Sequence, residues 1–394
     1  HKFLNDGTLL WLSERDGYYH IYHYDNEGKR IEQLTKGEWE VTAIYGMNEK
    51  NKEIYYQSVE FGSTNRVIFS LALKGKKKRV LAFKSGFNGA TFSADKSYFI
   101  HSYSDEQTPP KYAVYDSRKG KKIRDLLNNE TLKTKYLNKK LPWREFSTIN
   151  INGESLNVYL LKPADFDPSK KYPVLLYQYS GPGSQEVSNR WGDTRDLWHK
   201  MLTQKGFIVA CVDGRGTGFK GAAFKKATYL NLVKYETLDQ IAFAKKLAEM
   251  PFIDSNRIGI WGWSFGGHMA SHCLLTANDT FAMAVAVAPV TNWRFYDTIY
   301  TERFMRTPQE NPSGYDLNSP LNYAEQLKGK YLIIHGSGDD NVHVQNTLRM
   351  VEALVQANKQ FEWMIYPDKN HGIYGGNTQN HLYTKMTNFI IENL

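Results

Sequence analysis

A serine flanked by glycines is the residue in this sequence best suited to chemistry. The string Gly262-Trp263-Ser264-Phe265-Gly266 follows an apolar stretch at 257–261 and precedes a helix-compatible stretch. Glycines on both sides let the chain turn sharply from a strand into a helix, so that the serine hydroxyl projects above a sheet. The backbone N–H of Phe265 would then face the oxyanion formed when this hydroxyl attacks a carbonyl group. The spacing therefore predicts a nucleophilic serine at Ser264.

A nucleophilic serine needs a histidine and a carboxylate as partners. The imidazole accepts the hydroxyl proton, and the carboxylate fixes the imidazole tautomer and balances its charge. Asp339 lies in a polar loop after the apolar stretch 331–335, and His371 lies in a loop after the apolar stretch 361–366. Loops at the carboxyl ends of parallel strands meet at one edge of a sheet. Ser264, Asp339 and His371 are therefore the predicted catalytic triad.

Other residues near these loops could take the same roles. Asp340 is an alternative triad acid, and its other role would be to cap the following helix. Four histidines near the loops are interpreted as structural or surface groups because none follows a later strand; they are His268, His272, His335 and His343. The first two are spaced i, i+4 on a helix, but no glutamate completes an H-E-x-x-H pattern, so no metal site is predicted.

From about residue 141 onward, the chain alternates strand and helix patterns. Near-continuous apolar runs predict strands buried on both faces, at 156–161, 174–179, 208–212, 258–261, 284–288, 331–335 and 361–366. Helical patterns lie between them at 238–249, 267–277 and 344–357. This alternation predicts an α/β fold with a doubly wound, mostly parallel sheet, and the order Ser, Asp, His is that of an α/β-hydrolase.

Residues 1–127 have instead the pattern of short strands separated by turns, with an internal repeat. Three Gly-Lys turns, at 28–29, 75–76 and 120–121, are 47 and 45 residues apart. This spacing is typical of one four-stranded blade of a β-propeller, which closes with about four to eight blades. We therefore expect about two blades here, a linker at 128–140 and an α/β-hydrolase catalytic domain at 141–394. The chain is expected to be the C-terminal fragment of a longer protein with further blades upstream.

Composition argues against several classes of function. The formal net charge is +9, but the densest basic run, at 74–79, lies between two predicted strands without a basic helix, so nucleic-acid binding is not predicted. No apolar run approaches the about 20 residues of a membrane span. Cys211 and Cys273 both lie in apolar runs and are predicted to be buried free thiols rather than a disulfide framework.

Longer strings surround the predicted triad: Tyr179-Ser-Gly-Pro-Gly-Ser-Gln185, Asp213-Gly-Arg-Gly-Thr-Gly218, Trp261-Gly-Trp-Ser-Phe-Gly-Gly267, Ala288-Pro-Val-Thr-Asn-Trp293, Tyr300-Thr-Glu-Arg-Phe-Met305, His335-Gly-Ser-Gly-Asp-Asp-Asn-Val-His343 and His371-Gly-Ile. With these strings, the sequence resembles the prolyl oligopeptidase family of serine peptidases, and in particular its dipeptidyl peptidase subfamily. The resemblance covers essentially all 394 residues.

The resemblance implies a propeller that caps an α/β-hydrolase, and a peptide substrate cut after a penultimate proline, less readily alanine, through an acyl-enzyme and without a cofactor. It implies that Tyr179 is a side-chain oxyanion donor beside the Phe265 N–H, and that Asn341 orients the substrate carbonyl before the proline. The walls of the proline pocket would be Val290, Trp293, Tyr296, Tyr300 and Val342. Phe265 stands where the family more often has tyrosine, so this wall lacks a hydroxyl.

The resemblance also indicates what this chain does not carry. In the family, a pair of glutamates on an earlier propeller blade binds the substrate amine, and nothing in 1–127 matches that pair. The isolated chain is therefore expected to show weak or no dipeptidyl peptidase activity. Alternatives are an acylaminoacyl peptidase, a prolyl endopeptidase or a noncatalytic binding relative. Such enzymes are often homodimers, and the low cysteine count suits a bacterial relative that is periplasmic or associated with the cell envelope.

Overall fold

A computed structural model describes residues 1–73 and 77–394, which fall into two units. The first unit comprises His1–Trp143, Ser188–Asp193 and Gly218–Lys225, and the second comprises Arg144–Val187, Thr194–Thr217 and Lys226–Leu394. The middle Gly-Lys turn of the repeat and the start of the basic run lie at 74–76, outside the described residues. Within the described ranges, no helix is both long enough and apolar enough to cross a bilayer.

Short antiparallel strands make up most of the first unit. They are β1 (Lys2–Phe3), β2 (Leu9–Ser13), β3 (His20–Tyr24), β4 (Arg30–Gln33), β5 (Val41–Asn48), β6 (Glu53–Ser58), β7 (Val67–Ala72), β8 (Lys78–Ala82), β9 (Phe87–Phe92), β10 (Tyr98–Asp105), β11 (Thr108–Asp116) and β12 (Lys121–Leu127). Among residues 1–73 and 77–127 they form three four-stranded sheets, ordered β1-β2-β3-β4, β5-β6-β7-β8 and β12-β11-β10-β9. The predicted blade-like sheets are present, but there are three rather than about two. β1 has only two residues, so the first sheet needs less chain than the repeat spacing indicated.

Alternation of side chains along β6 and β7 packs the middle sheet against both of its neighbours. Ile54 and Val67 are fully buried in a cluster with Leu10 of the first sheet. Tyr55 and Ile68, one residue further along the same strands, are buried in a second cluster with aromatic residues of the third sheet. Successive residues therefore face opposite sheets, which is how stacked blades share their cores.

The segment Gly218–Lys225 belongs to the first unit through polar contacts that sequence order does not indicate. The backbone N–H of Gly221 donates a hydrogen bond of 2.8 Å to the buried Glu40 carboxylate. The Lys225 ammonium lies 2.5 Å from the Glu14 carboxylate. These bonds hold the segment against the residues directly after β2 and directly before β5, far earlier in the sequence.

One mixed sheet forms the centre of the second unit. Its strands are β13 (Glu145–Ile151), β14 (Glu154–Leu161), β15 (Tyr172–Tyr177), β16 (Ile208–Asp213), β17 (Ile253–Trp263), β18 (Met283–Val287), β19 (Lys330–Gly336) and β20 (Glu362–Tyr366). In the described residues their order is β13-β14-β16-β15-β17-β18-β19-β20. The β13–β14 and β14–β16 pairs are antiparallel, and the remaining pairs are parallel. The predicted α/β-hydrolase fold with a mostly parallel sheet is confirmed.

Helices cover this sheet and connect its strands. The α-helices of the described chain are α1 (Glu130–Asn138), α2 (Thr194–Thr203), α3 (Ala222–Lys226), α4 (Lys234–Ala248), α5 (Phe265–Thr276), α6 (Thr298–Met305), α7 (Pro312–Leu317), α8 (Gln345–Gln356) and α9 (Thr378–Asn393). Of these, α1 and all of α3 except its last residue belong to the first unit. Strands β15, β16 and β18 are buried along their whole length, as strands covered on both faces must be. Sequence patterns missed β13, because this edge strand exposes most of its polar side chains.

Glu236 is an unusual ionisable residue in the interior of the second unit. It lies in the first turn of α4 and is fully buried. Among the described residues, no lysine or arginine forms an ion pair with it. Burial raises the pKa of the Glu236 carboxyl to about 8, because surroundings of low polarity disfavour the charged form, and the nearby Asp239 charge acts in the same direction.

Replacing Glu236 should change how stability depends on pH. An unfolded chain releases this proton near pH 4.5, whereas the folded chain keeps it until about pH 8, so rising pH across this window favours unfolding. Glu236→Gln removes the linkage, and its melting temperature should rise relative to the wild type between about pH 5 and about pH 8. Calorimetry at several pH values measures this, with exposed Glu325→Gln as the control. Parallel curves for Glu236→Gln and the wild type would contradict the assignment.

Candidate active site

Ser264 forms the turn between a strand and a helix. β17 ends at Trp263 and α5 begins at Phe265, so Ser264 alone makes the reversal, with φ 62° and ψ −120°. A side chain at positive φ is strained by about 1–3 kcal/mol and persists only where its surroundings fix it. Here the Ser264 N–H donates a hydrogen bond of 2.8 Å to the Val287 carbonyl at the end of β18. The predicted elbow geometry is therefore present at the predicted serine.

Close packing explains the glycines on either side of the turn. A Cβ atom on Gly262 would lie 2.3 Å from the Gly266 carbonyl oxygen, and one on Gly266 would lie 2.6 Å from the Gln178 carbonyl oxygen. A Cβ on Gly267 would lie 2.8 Å from the Val287 carbonyl oxygen. Backbone atoms cannot retreat as a flexible side chain can, so these positions require glycine. The G-x-S-x-G spacing is thus a packing requirement of this turn.

Asp339 is a buried carboxylate in the loop after β19. Its Oδ1 accepts hydrogen bonds of 2.9 Å from the N–H groups of both Asn341 and Val342. Its Oδ2 lies 2.7 Å from Nδ1 of His371. Burial acts to raise the pKa of Asp339, but hydrogen bonds from His335, His371 and the Asn341 N–H outweigh it and hold this pKa well below its usual range. These donors therefore favour the ionised form of the carboxylate.

His371 lies in the loop after β20, where two contacts fix it. The Asp339 carboxylate accepts from Nδ1, which leaves Nε2 as the nitrogen able to take a proton. The indole N–H of Trp263, directly before Ser264, donates a hydrogen bond of 3.0 Å to the His371 carbonyl oxygen. In the described structure Nε2 and the Ser264 hydroxyl do not yet form a hydrogen bond, and such bonds commonly tighten only when substrate binds. The bond from Trp263 nevertheless joins the His371 loop to the residue next to Ser264.

The neighbouring acid, Asp340, does not share this environment. Its side chain is exposed, whereas Asp339 is buried and bonded to the imidazole. Only a carboxylate in contact with Nδ1 can fix the tautomer of His371. The geometry therefore favours Asp339 over the alternative acid considered from the sequence.

An aromatic wall extends from Phe265, next to Ser264, to the loop that carries Asp339. The ring of Phe265 lies 5.4 Å from that of Trp293, whose ring lies 6.0 Å from the rings of both Tyr296 and Tyr300. The Tyr296 hydroxyl donates 2.6 Å to the amide oxygen of Asn341. The structure thus brings these predicted pocket residues and the acid loop into one connected cluster.

Three further predicted site residues lie beside this wall. Tyr179 follows β15, and its ring lies 6.0 Å from that of Phe265. Val290 and Val342 are buried apolar residues on the loops after β18 and β19. The N–H of Val342 also binds the Asp339 carboxylate, so one residue serves both the apolar surface and the acid.

The histidines on α5 are groups of the protein interior. His268 Nε2 bonds the Asn318 carbonyl at 2.7 Å, and His272 Nδ1 bonds the Thr237 hydroxyl at 3.1 Å. Burial lowers the pKa of His268 to about 3 and that of His272 to about 4, so both rings are neutral. No group of side chains in the described residues is arranged to hold a metal ion. Both cysteines are buried free thiols, as predicted.

Two contacts in the site were not predicted from the sequence. His335 was interpreted as structural or surface, yet its buried ring reaches the Asp339 carboxylate at 3.1 Å. Its spacing of four residues before the acid, at the end of an apolar strand, is the signal that could have indicated this contact. The bond from Trp263 to the His371 loop had no comparable signal, because it joins residues more than one hundred positions apart.

A serine on a strand-to-helix turn, with a histidine held by a buried aspartate at the same edge of a parallel sheet, defines a serine hydrolase of the α/β-hydrolase fold. Residues 195–394 match the model of the prolyl oligopeptidase family, and residues 1–110 match that of the dipeptidyl peptidase IV (DPP IV) N-terminal region. The chain belongs to the prolyl oligopeptidase family.

Known relatives share most of this chain. "Probable dipeptidyl-aminopeptidase B" of Phaeosphaeria nodorum is 40% identical over 392 residues, which cover 97% of this chain and 43% of that protein. The protein of the same name from Pyrenophora teres f. teres is 40% identical over 387 residues, which cover 96% and 42%. The crystal structure of Porphyromonas gingivalis dipeptidyl peptidase 4 has 46% identity and a TM-score of 0.96, over 100% of this chain and 55% of that chain. The chain thus spans less than half the length of these two curated relatives.

Substitution of the two adjacent aspartates should separate their roles. Asp339→Asn removes the charge that stabilises the imidazolium and allows the wrong tautomer of His371, so the reactivity of Ser264 should fall by roughly 10³- to 10⁴-fold. Asp340→Asn should stay within a few-fold of the wild type, because this side chain is exposed. The rate of labelling by a fluorophosphonate measures both. A large loss in Asp340→Asn with none in Asp339→Asn would reverse the assignment.

Proposed function

We propose that this chain is the catalytic portion of a serine dipeptidyl peptidase that releases X-Pro dipeptides, and less readily X-Ala dipeptides, from the N-termini of peptides. The observation that carries the proposal is the 2.7 Å hydrogen bond between His371 and the buried Asp339. The loop of His371 is also bonded to Trp263, directly before the turn at Ser264. The names of the relatives support a dipeptidyl exopeptidase. Because this chain spans only part of their length, the activity is proposed for the complete protein.

In the proposed cycle, His371 takes the proton from Ser264 as Oγ attacks the carbonyl carbon of the penultimate residue. Asp339 stabilises the resulting imidazolium through Nδ1. The tetrahedral intermediate then collapses to an acyl-enzyme, and the leaving amine takes the proton from His371. Water attacks the acyl-enzyme with the same proton transfers and releases the dipeptide. This cycle requires no cofactor.

We propose that two hydrogen-bond donors stabilise the oxyanion. The Phe265 N–H lies at the first position of α5, where backbone N–H groups have no partner within the helix. The Tyr179 hydroxyl is the second donor in this proposal, since its ring lies against Phe265. Burial raises the pKa of Tyr179, with the nearby Glu186 charge acting in the same direction, so the phenol stays protonated and able to donate. Donors fixed in place before the reaction stabilise the developing charge without reorganisation.

The aromatic wall supports the preference for proline. A flat pyrrolidine ring is well matched to aromatic and aliphatic faces, which here are offered by Val290, Trp293, Tyr296, Tyr300 and Val342. Asn341 is fixed by Tyr296 and by its own N–H bond to the acid, so its amide can hold the substrate carbonyl before the proline. Alanine fills less of this pocket and should therefore be a poorer substrate.

The complete protein should lose turnover when the nucleophile is removed. Ser264→Ala should lower kcat for a chromogenic Gly-Pro substrate by roughly 10⁴- to 10⁶-fold while binding stays largely intact. Exposed Ser313→Ala serves as the matched control and should keep the wild-type rate. Turnover retained in Ser264→Ala would remove this residue from the nucleophile role.

The same assay distinguishes the alternatives within the family. A dipeptidyl peptidase should hydrolyse free Gly-Pro substrates and fail on their N-blocked forms. Faster hydrolysis of the blocked forms would favour an acylaminoacyl peptidase or a prolyl endopeptidase, and no hydrolysis of either would favour a noncatalytic relative.

We further propose that the complete protein is a homodimer through its hydrolase surface. Edge strand β20 exposes Trp363, and the neighbouring helix α8 exposes Leu348 and Val355. Apolar side chains at an unpaired sheet edge favour association. Light scattering during gel filtration should give twice the chain mass.

For the location of the protein we propose the periplasm or cell envelope. The low cysteine count supports this proposal, and cell fractionation tests it.

A further inference from the structure

His335 is the second imidazole in contact with the proposed triad acid. We propose that it is a positioning residue, which fixes the Asp339 carboxylate and its loop in the orientation that His371 requires. The inference rests on the proposed function of Ser264, Asp339 and His371, and it assigns a task to a histidine outside the triad.

Three polar contacts surround the ring of His335. Nε2 lies 2.8 Å from the Val342 carbonyl oxygen and 3.1 Å from Oδ2 of Asp339. Nδ1 lies 2.7 Å from the hydroxyl of Thr347 on α8. The side chains of His335 and Asp339 are both 0% exposed, so water does not compete for these bonds. Every nitrogen of the ring is therefore committed to a protein partner.

These partners define the tautomer. The Val342 carbonyl and the Asp339 carboxylate can only accept hydrogen bonds, so Nε2 carries the proton and shares it between them. Nδ1 then accepts from the Thr347 hydroxyl, which can rotate to donate. A neutral ring in this tautomer satisfies all its contacts without burying a second positive charge beside the triad. His335 therefore donates through Nε2 and accepts through Nδ1.

The donor completes the coordination of the carboxylate. Oδ1 receives the N–H groups of Asn341 and Val342, while Oδ2 lies 2.7 Å from Nδ1 of His371 and 3.1 Å from Nε2 of His335. An ionised carboxylate has about four acceptor positions, so all are occupied and rotation about its χ2 angle would break several bonds at once. After burial, which acts in the opposite direction, the His335 bond is the strongest influence on the lowered pKa of Asp339.

The same ring also fixes the loop. The Val342 carbonyl binds His335, while the Val342 N–H binds the carboxylate. His335 lies near the end of β19, a strand with a neighbour on each side, and it is paired with Ile365 of β20, so its position is set by the sheet rather than by the loop. One imidazole thus transfers the rigidity of the sheet to the acid loop and to Asp339.

Two substitutions test this role in the full 394-residue chain. His335→Leu removes the donor, and His335→Gln keeps an amide N–H that can reach the carboxylate. The rate of Ser264 labelling by a fluorophosphonate is measured as a function of pH, together with the melting temperature of each variant. Exposed His343→Gln is the matched control, and Ser264→Ala sets the background.

We expect His335→Leu to label about 10- to 100-fold more slowly than the wild type, with His335→Gln between the two. The midpoint of the acid limb should move to higher pH in His335→Leu, because an Asp339 charge that is no longer shared stabilises protonated His371 more strongly. A role in folding alone would lower the labelled fraction without moving this midpoint.

Four results overturn the inference or its premise. Wild-type rates in His335→Leu, or a slower rate with an unmoved midpoint, would overturn it. If His335→Leu does not fold, an unmoved midpoint and wild-type rate in His335→Gln would overturn it in the same way. Failure of the folded wild-type chain to label would instead contradict the proposed function of Ser264, whatever the variants do.

Discussion

The hydrogen bond between the buried carboxylate of Asp339 and His371 is the interaction on which the rest of the site depends. Burying an ionised carboxylate costs several kcal/mol unless hydrogen-bond donors replace the water that it loses. Even an uncharged polar group that is buried without a partner costs about 2 kcal/mol or more. Two backbone N–H groups and two imidazoles supply those donors here. The loop after β19 turns so that the N–H groups of Asn341 and Val342 both reach the acid.

Sheet geometry explains why residues so far apart in sequence can meet. β19 and β20 are neighbouring parallel strands, with Gly336 paired to Tyr366 at their carboxyl ends. The acid and histidine loops therefore start from adjacent positions. β17 lies two strands from β19, with β18 between them, and Ser264 directly follows it. The Val287 carbonyl at the end of β18 accepts the hydrogen bond that holds Ser264 in place. A parallel sheet gathers its strand ends at one edge, and the site uses three of these ends.

The parts of this arrangement that follow from local patterns could be predicted. Buried parallel strands give apolar runs, and the tight turn at Ser264 requires glycines on both sides. Both patterns can therefore be recognised in the sequence. The contact of His335 with Asp339 is harder to predict from the sequence, because a histidine at a strand end has many possible partners. The assignment of Gly218–Lys225 to the first unit and the bond from Trp263 to His371 depend on long-range packing, which no local pattern encodes.

Identification of the reactive residue tests the central claim most directly. After the folded chain reacts with a fluorophosphonate, peptide mass spectrometry locates the adduct. A single adduct on Ser264 is expected, and it should be absent from a His371→Ala chain that retains its fold. An adduct on another residue, or an equal yield at Ser264 without the imidazole, would contradict the claim that Asp339, His371 and Ser264 act together.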